Sequence, residues 1–250
     1  MDRDLARQVA RKMHGKRIVA FTGAGISVES GIPDFRSPGG LWERFDPEEY
    51  ATIEAFKRDP SRVWQMLREL DEVIAAARPN AAHSALAHLE QMGALCGIIT
   101  QNVDNLHQEA GSRKVVEFHG NGSRLICLSC AAEKSASAAR QEGSFPPLCP
   151  QCREVLKPDV VLFGEPIPAE AAAEASRLAR EAQVLWVIGT SAQVAPASYL
   201  PRLAKSAGAL VVETNLEATV LTGSVADVTL PGKASEVVPL LIEELERLRC

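Results

Sequence analysis

The two cysteine pairs carry the sharpest chemical signal in this chain. Cys127-Leu128-Ser129-Cys130 and Cys149-Pro150-Gln151-Cys152 are C-x2-C knuckles, with residues 131–148 between them. That spacing falls within the range expected of a four-cysteine zinc site. Each knuckle aims two thiolates at one point, and two knuckles complete a tetrahedron around Zn²⁺. Four protein ligands leave no position for water, so such a metal is structural. The competing reading is four buried or redox-active thiols. Cys96 lies inside an apolar run and Cys250 ends the chain; both read as bystanders.

A second set of residues could handle a polar ligand. Thr22-Gly23-Ala24-Gly25-Ile26-Ser27 is a glycine-rich turn, where a close backbone and exposed N–H groups bind anions. As a dinucleotide fingerprint it is imperfect, because Val28 stands where a third glycine is expected. A tight turn with no ligand explains it equally well. Asp34-Phe35-Arg36 follows, fixed by Pro33: the guanidinium suits phosphate and the ring can shield a reactive carbon. Its alternative is an Asp34–Arg36 ion pair in a buried loop. Thr100-Gln101-Asn102-Val103-Asp104 gathers amides and a carboxylate suited to ribose hydroxyls and a carboxamide, although Asp104 also fits a helix cap. His119 is the obvious general base. Gly189-Thr190-Ser191 and Asn215-Leu216 add small polar groups. His14, His83, His88 and His107 carry no comparable argument.

These residues need elements to hold them. Short apolar runs end just before each polar group: residues 17–21, 94–99, 115–118, 184–188, 209–212 and 226–230. Continuous apolar runs suit strands buried on both faces of a parallel sheet. Helical patterns alternate with them. Asp59 is an N-cap with Pro60 at the first helical position. Val63, Leu67, Leu70, Ile74 and Ala77 then form one apolar face. Asn80 caps a helix ending near Gly93, and residues 169–183 and 234–248 also read as helices. The expectation is a doubly wound α/β domain whose strand ends converge on one crevice. Residues 31–77 and 120–158 break the alternation and read as insertions. Val160 to Phe163 reads as a short strand, either core or an open edge that could pair with an extended peptide.

Composition narrows the class. The chain has 250 residues and a net charge of −5, which speaks against nucleic acid as the main partner. It contains no apolar run long enough to span a membrane, and its N-terminus lacks the apolar block of a secretory signal, so a cytoplasmic protein is expected.

Taken in order, Gly23-Ala24-Gly25-Ile26-Ser27, Gly31-Ile32-Pro33-Asp34-Phe35-Arg36, Thr100-Gln101-Asn102-Val103-Asp104-Asn105-Leu106-His107, His119-Gly120, the two knuckles, Phe163-Gly164-Glu165 and Gly189-Thr190-Ser191 resemble the sirtuins, the NAD-dependent protein lysine deacylases. The resemblance spans about Arg17 to Gly232. It implies a Rossmann-like domain of residues 1–31, 78–120 and 159–250, and a small domain made of a helical insertion, 32–77, and a zinc insertion, 121–158. It implies NAD and one structural Zn²⁺, held by Cys127, Cys130, Cys149 and Cys152. Gly23, Ala24, Gly25, Asp34, Phe35, Arg36, Gln101, Asn102, Asp104, Gly189, Thr190, Ser191, Asn215 and Leu216 would contact NAD. His119 would be the general base, with Asn102 and Asp104 beside it. Val160, Leu162, Phe163 and Gly164 would meet an acetyl-lysine peptide. Some family members read succinyl-lysine with a Tyr-x-x-Arg pair. Those positions here are Leu67 and Leu70, which implies acetyl or longer apolar acyl groups.

Overall fold

A computed structural model describes residues 2–33 and 43–249. The chain opens with α1 (Arg3–Met13) and β1 (Ile18–Thr22), then enters a helical excursion of α2 (Pro47–Tyr50), α3 (Ile53–Arg58) and α4 (Pro60–Ala76). It returns through α5 (Ala81–Gln91) to β2 (Leu95–Thr100), α6 (Leu106–Glu109) and β3 (Val115–Glu117). A second excursion holds β4 (Gly120–Ile126), β5 (Glu133–Ser135), α7 (Ala136–Glu142) and β6 (Lys157–Val160). The remainder is α8 (Ala169–Glu181), β7 (Val184–Ile188), α9 (Leu200–Ser206), β8 (Leu210–Asn215), β9 (Val228–Pro231) and α10 (Ala234–Arg247).

Six strands form one parallel sheet in the order β3-β2-β1-β7-β8-β9. With the excursions set aside, this is the 3-2-1-4-5-6 order of the doubly wound dinucleotide fold. The apolar runs explain it. Val19 and Phe21 face one side, Ile18 and Ala20 the other, and all are buried. Helices α1, α5 and α10 cover one face through Met13, Leu86, Leu89, Val238 and Leu241. Helices α8 and α9 cover the other through Ala175, Leu178, Leu200 and Ala204. Fully burying a side chain such as Ile98 or Leu185 contributes about 1.5–3 kcal/mol. Among the described residues, no helix is long and apolar enough to cross a membrane.

The two excursions share a separate apolar cluster. Phe56, Val63, Trp64 and Leu67 from the first pack with Leu125, Cys127, Cys149 and Leu156 from the second. The Trp64 indole N–H donates to the Leu156 carbonyl at 2.8 Å, tying the two together. Capping follows the sequence: Asp59 accepts from the Arg62 N–H, and Asn80 from the Ala82 N–H. Helix α4 departs from expectation in one respect. Val63 and Leu67 are buried, but Leu70 and Ile74 line an open cavity.

The expected strand at 160–163 lies earlier, at Lys157–Val160, because it pairs antiparallel with β4. Beyond Val160 the chain is pinned differently. The Leu162 N–H donates to the Glu165 carboxylate at 2.8 Å, and Phe163 bridges to Thr52.

Candidate active site

In an open parallel sheet, ligands bind beyond the carboxyl ends of the strands, where the strand order reverses. Here that point lies between β1 and β7. The turn after β1 and the turn after β7 touch there. The Gly25 N–H donates to the Gly189 carbonyl at 2.8 Å. A Cβ on Gly25 would come within 2.8 Å of the Gly189 Cα, and Gly189 itself sits at φ +61°. The glycines therefore serve the approach of two loops. The N–H groups of Gly23, Ile26 and Ser27 are likewise spent on the Ile188, Gly23 and Ala24 carbonyls. The turn offers an anion less than its composition promised: among its described N–H groups, that of Ala24 has no such partner.

The amide cluster after β2 locks onto this turn. Asn102 donates through Nδ2 to the Ser27 hydroxyl at 3.1 Å and to the Gly23 carbonyl at 3.2 Å. Ser27 donates to Asp104 at 2.6 Å. The other Asp104 oxygen accepts the Leu106 N–H at 3.0 Å, so Asp104 both caps α6 and joins the cluster. Burial pushes the Asp104 carboxyl up, against the opposing pull of Ser27. Gln101 donates to the Thr190 hydroxyl at 3.0 Å, and Asn215 to the Thr190 carbonyl at 2.9 Å. Ser191 follows in the same loop, and Leu216 stands exposed at the crevice rim beyond β8. Four strand ends are thus cross-linked by side-chain amides and hydroxyls.

His119 lies two residues past β3, half-buried, with Nδ1 3.1 Å from the Gln101 carbonyl. A carbonyl only accepts, so Nδ1 carries the proton and Nε2 of the neutral ring keeps its lone pair. Burial lowers the His119 pKa below the usual histidine value, with the bond to Gln101 opposing. The ring is therefore a neutral base near physiological pH.

Two buried histidines that no sequence motif singles out support this edge. His107 Nε2 meets the Thr22 hydroxyl at 3.0 Å, and Thr22 donates to Thr100 at 2.9 Å. Thr100 in turn accepts the Asn102 N–H at 3.1 Å. His83 packs edge-on against His107, with ring centroids 4.9 Å apart. Burial drives the His83 pKa down to about 4 and, helped by neighbouring His83, holds the His107 pKa well below its usual value. Asn105-Leu106-His107 read as a loop entering a helix, and nothing in its spacing marks a residue reaching back to β1.

The four sulfurs of Cys127, Cys130, Cys149 and Cys152 lie within 4.8 Å of one another, with contacts of 3.4, 3.5 and 3.6 Å. Sulfurs about 2.3 Å from a tetrahedral Zn²⁺ stand roughly 3.8 Å apart, so this set fits that ion. Two of the cysteines are buried and two exposed. Cys96 is half-buried in β2, away from the set.

Between α4 and the small sheet with α7, reaching the loop after β2 at Val103, lies a cavity of about 260 Å³ lined by Trp64, Leu67, Leu70, Leu125 and Val160 among others. Val160 ends β6, whose outer edge pairs with no strand of the small sheet. The 160–165 segment is held by buried Lys157, which binds the Val160 carbonyl at 2.6 Å and Glu165 at 3.0 Å. Leu162 is buried in the module's apolar cluster, while Phe163 and Gly164 are exposed. Asp34, Phe35 and Arg36 lie outside the described residues.

Comparison with known proteins matches this arrangement. The Sir2 family model covers residues 23–196. A Pyrobaculum aerophilum protein named NAD-dependent protein deacylase 2 is 54% identical over 232 residues, 93% of this chain and 92% of its own. A Sir2 homologue solved as a complex with NAD is 42% identical, with a TM-score of 0.89, covering 100% of this chain and 96% of its own. Sir2Af2, solved with a myristoylated histone peptide, is 38% identical with a TM-score of 0.84, and the match covers 99% of each chain. The extent of the family model, the identities and the shared fold show that the chain belongs to the Sir2 family.

Proposed function

We propose that this chain removes acetyl and longer apolar acyl groups from lysine side chains of proteins, consuming NAD. The observation that carries the reading is His119, a neutral base with its Nδ1 committed to Gln101 and its Nε2 lone pair left for chemistry, on the edge that holds the Asn102–Ser27–Asp104 cluster. Bound NAD would supply a ribose carbon that exchanges nicotinamide for the acyl oxygen and a 2′-hydroxyl that finally carries the acyl group, so that NAD, acetyl-lysine and one water give free lysine, nicotinamide and 2′-O-acetyl-ADP-ribose.

The residues have distinct tasks in this reading. Asn102 and Asp104 shape the carboxamide and ribose pocket, preset by their mutual hydrogen bonds. Gln101, Thr190, Ser191 and Asn215 hold the sugar–phosphate and adenosine portions, with Ala24 and Gly25 at the turn and Leu216 against the base. Asp34, Phe35 and Arg36 are assigned to the NAD side by motif alone. His119 takes a proton from the ribose hydroxyls. An acyl-lysine peptide lies along Val160, Phe163 and Gly164, adding to the open edge of β6. Positioning does much of the work, because an amide oxygen is a weak nucleophile. One Zn²⁺ on the four cysteines holds the module that carries that edge. Thiols kept as metal ligands, not disulfides, suit a cytoplasmic setting. The two domains have the boundaries given above, 1–31, 78–120 and 159–250 for the Rossmann-like part and 32–77 and 121–158 for the small one.

The cavity supports acyl chains longer than acetyl. Its lining is largely apolar, and Leu67 and Leu70 stand where a succinyl-reading pair would. Arg68 and Arg140 reach its rim, but each already holds an acidic partner, Glu72 or Asp71. A buried succinyl carboxylate would lack a counter-charge. Mass spectrometry of products from NAD with acetyl-, long-chain acyl- and succinyl-lysine peptides tests the reading. We expect nicotinamide and O-acyl-ADP-ribose that depend on the peptide, with succinyl slowest. An ADP-ribosylated peptide as the main product, or faster succinyl removal, would overturn it.

A further inference from the structure

The chain leaves the large sheet for the small one at Gly120, directly after His119. The crossing is tight: Gly120 sits at φ +80°, and a Cβ there would stand 2.1 Å from the Asp159 carbonyl. Strand β4 then pairs Gly120 with Val160 and Asn121 with Asp159, but its next partner step jumps to Leu125 with Pro158. Gly122, Ser123 and Arg124 are therefore bulged away from β6. Bulges re-aim side chains next to active sites.

This bulge is fastened at both ends. The Gly122 N–H donates to the Val103 carbonyl at 2.8 Å, inside the amide loop, and Gly122 lines the apolar cavity. Arg124 turns back toward the large sheet. Its Nη2 donates to Glu117 at 2.7 Å and its Nε to Asp159 at 3.0 Å. Glu117 stands two residues before His119, and its other oxygen accepts from Gln108 at 2.7 Å and from Asn121. Among the described residues, Arg124–Glu117 is the one ion pair that joins a strand of the large sheet to a strand of the small one. Its position is the crossing itself. The His119 carbonyl accepts the Val161 N–H at 2.9 Å, so the base and the peptide edge are registered within the same few residues.

We propose that Arg124 is a positioning residue for the deacylation assigned above: by clasping Glu117 and Asp159 across the β4 bulge, it holds His119 in register with the Val160–Val161 edge. A planar guanidinium reaches two carboxylates on different strands at once, which a single ammonium does not. The pair is partly exposed, with Arg124 and Asp159 at 42% and Glu117 at 21%. Exposed pairs add little to stability. Small misplacements of reacting groups, by contrast, are costly in rate. Activity and stability should therefore separate.

The test uses the full chain with an acetyl-lysine peptide and NAD. Arg124→Gln is expected to lower kcat/KM for the peptide roughly ten- to hundredfold, mostly in kcat. Its unfolding temperature, zinc content and NAD affinity should stay near wild type. Arg124→Lys should recover part of the loss. Wild-type kcat/KM in Arg124→Gln would overturn the proposal. So would equal losses in the Gln and Lys variants that track the unfolded fraction. If Arg124→Gln does not fold, Glu117→Gln, which keeps its size, takes its place with the same expectations. The proposal rests on the deacylase reading, and the two fail differently. Absence of peptide-dependent nicotinamide release in the unaltered protein defeats that reading, whereas an active protein indifferent to Arg124 defeats only this one.

Discussion

The strand-edge cluster and the four-cysteine module reach order by opposite routes. The edge is held by polar groups that satisfy one another: Asn102, Ser27, Asp104, Thr22, Thr100 and His107 are joined by hydrogen bonds. Its geometry is fixed before a ligand arrives. The module has a modest apolar cluster, three short strands and ion pairs at its surface. Its four sulfurs converge; as thiolates they would repel one another, and a bound cation would neutralise them. One region is preorganised by its own polar network. The other offers four converging thiols to an added ion, and in the proposed reading it borders the cavity for the acyl chain.

Removing the ion should break this contrast most severely. Structural zinc in small domains is worth about 10–16 kcal/mol in apparent binding. Cys149→Ser, or prolonged chelation, should leave the six-stranded sheet folded while abolishing deacylation and exposing the module to protease. Zinc content, circular dichroism and the sites of tryptic cleavage report each part separately. Full activity in metal-free protein would show that the module stands without the ion.

A smaller effect separates chemistry from scaffold. His119→Ala should reduce turnover by about 10²–10⁴-fold, the usual worth of a general base. Thermal unfolding and NAD binding should hardly move, because His119 is half-buried and no other group of the edge network hangs from its ring. A variant that keeps near-normal deacylation would remove His119 from the mechanism.

The mildest test titrates the edge. His83 has a folded-state pKa of about 4 against an ordinary value of 6.5. Between those values the unfolded chain binds the proton that the folded chain refuses. Stability is therefore complete above about pH 6.5 and falls as the pH drops toward 4, by at most about 3 kcal/mol. Asp104, raised by burial, pulls the other way. Comparing denaturant midpoints of wild type and His83→Asn across that range isolates the histidine. The variant should show a flatter profile; an unchanged slope would mean that His83 is not buried in its neutral form.

Legibility followed the range of the interaction. Strands β1, β2, β7 and β8 were readable because burial on both faces demands uninterrupted apolar runs. The caps Asp59 and Asn80 were readable because capping is local. The knuckles were readable because two ligands three residues apart already define half of a metal site. Strand β6 is not legible because Lys157-Pro158-Asp159 has no strand-like composition; it is extended where β4 runs beside it. The role of His107 is not legible because its partner, Thr22, is far away in the chain and joins it only when β1 and β2 lie side by side.

The sequence by itself determined the sheet, the metal ligands, and which residue types would stand at the strand ends, since all of these follow from local pattern and side-chain chemistry. Only the tertiary structure decided what those residues do to one another. It spends the N–H groups of the glycine turn on loop packing. It assigns the His119 proton to Nδ1 through the Gln101 carbonyl, which lies in the loop after β2. It brings Arg124 back onto Glu117 across a bulge. Hydrogen bonds and ion pairs act only at contact, and contact between distant parts of a chain is settled by how the strands and insertions pack.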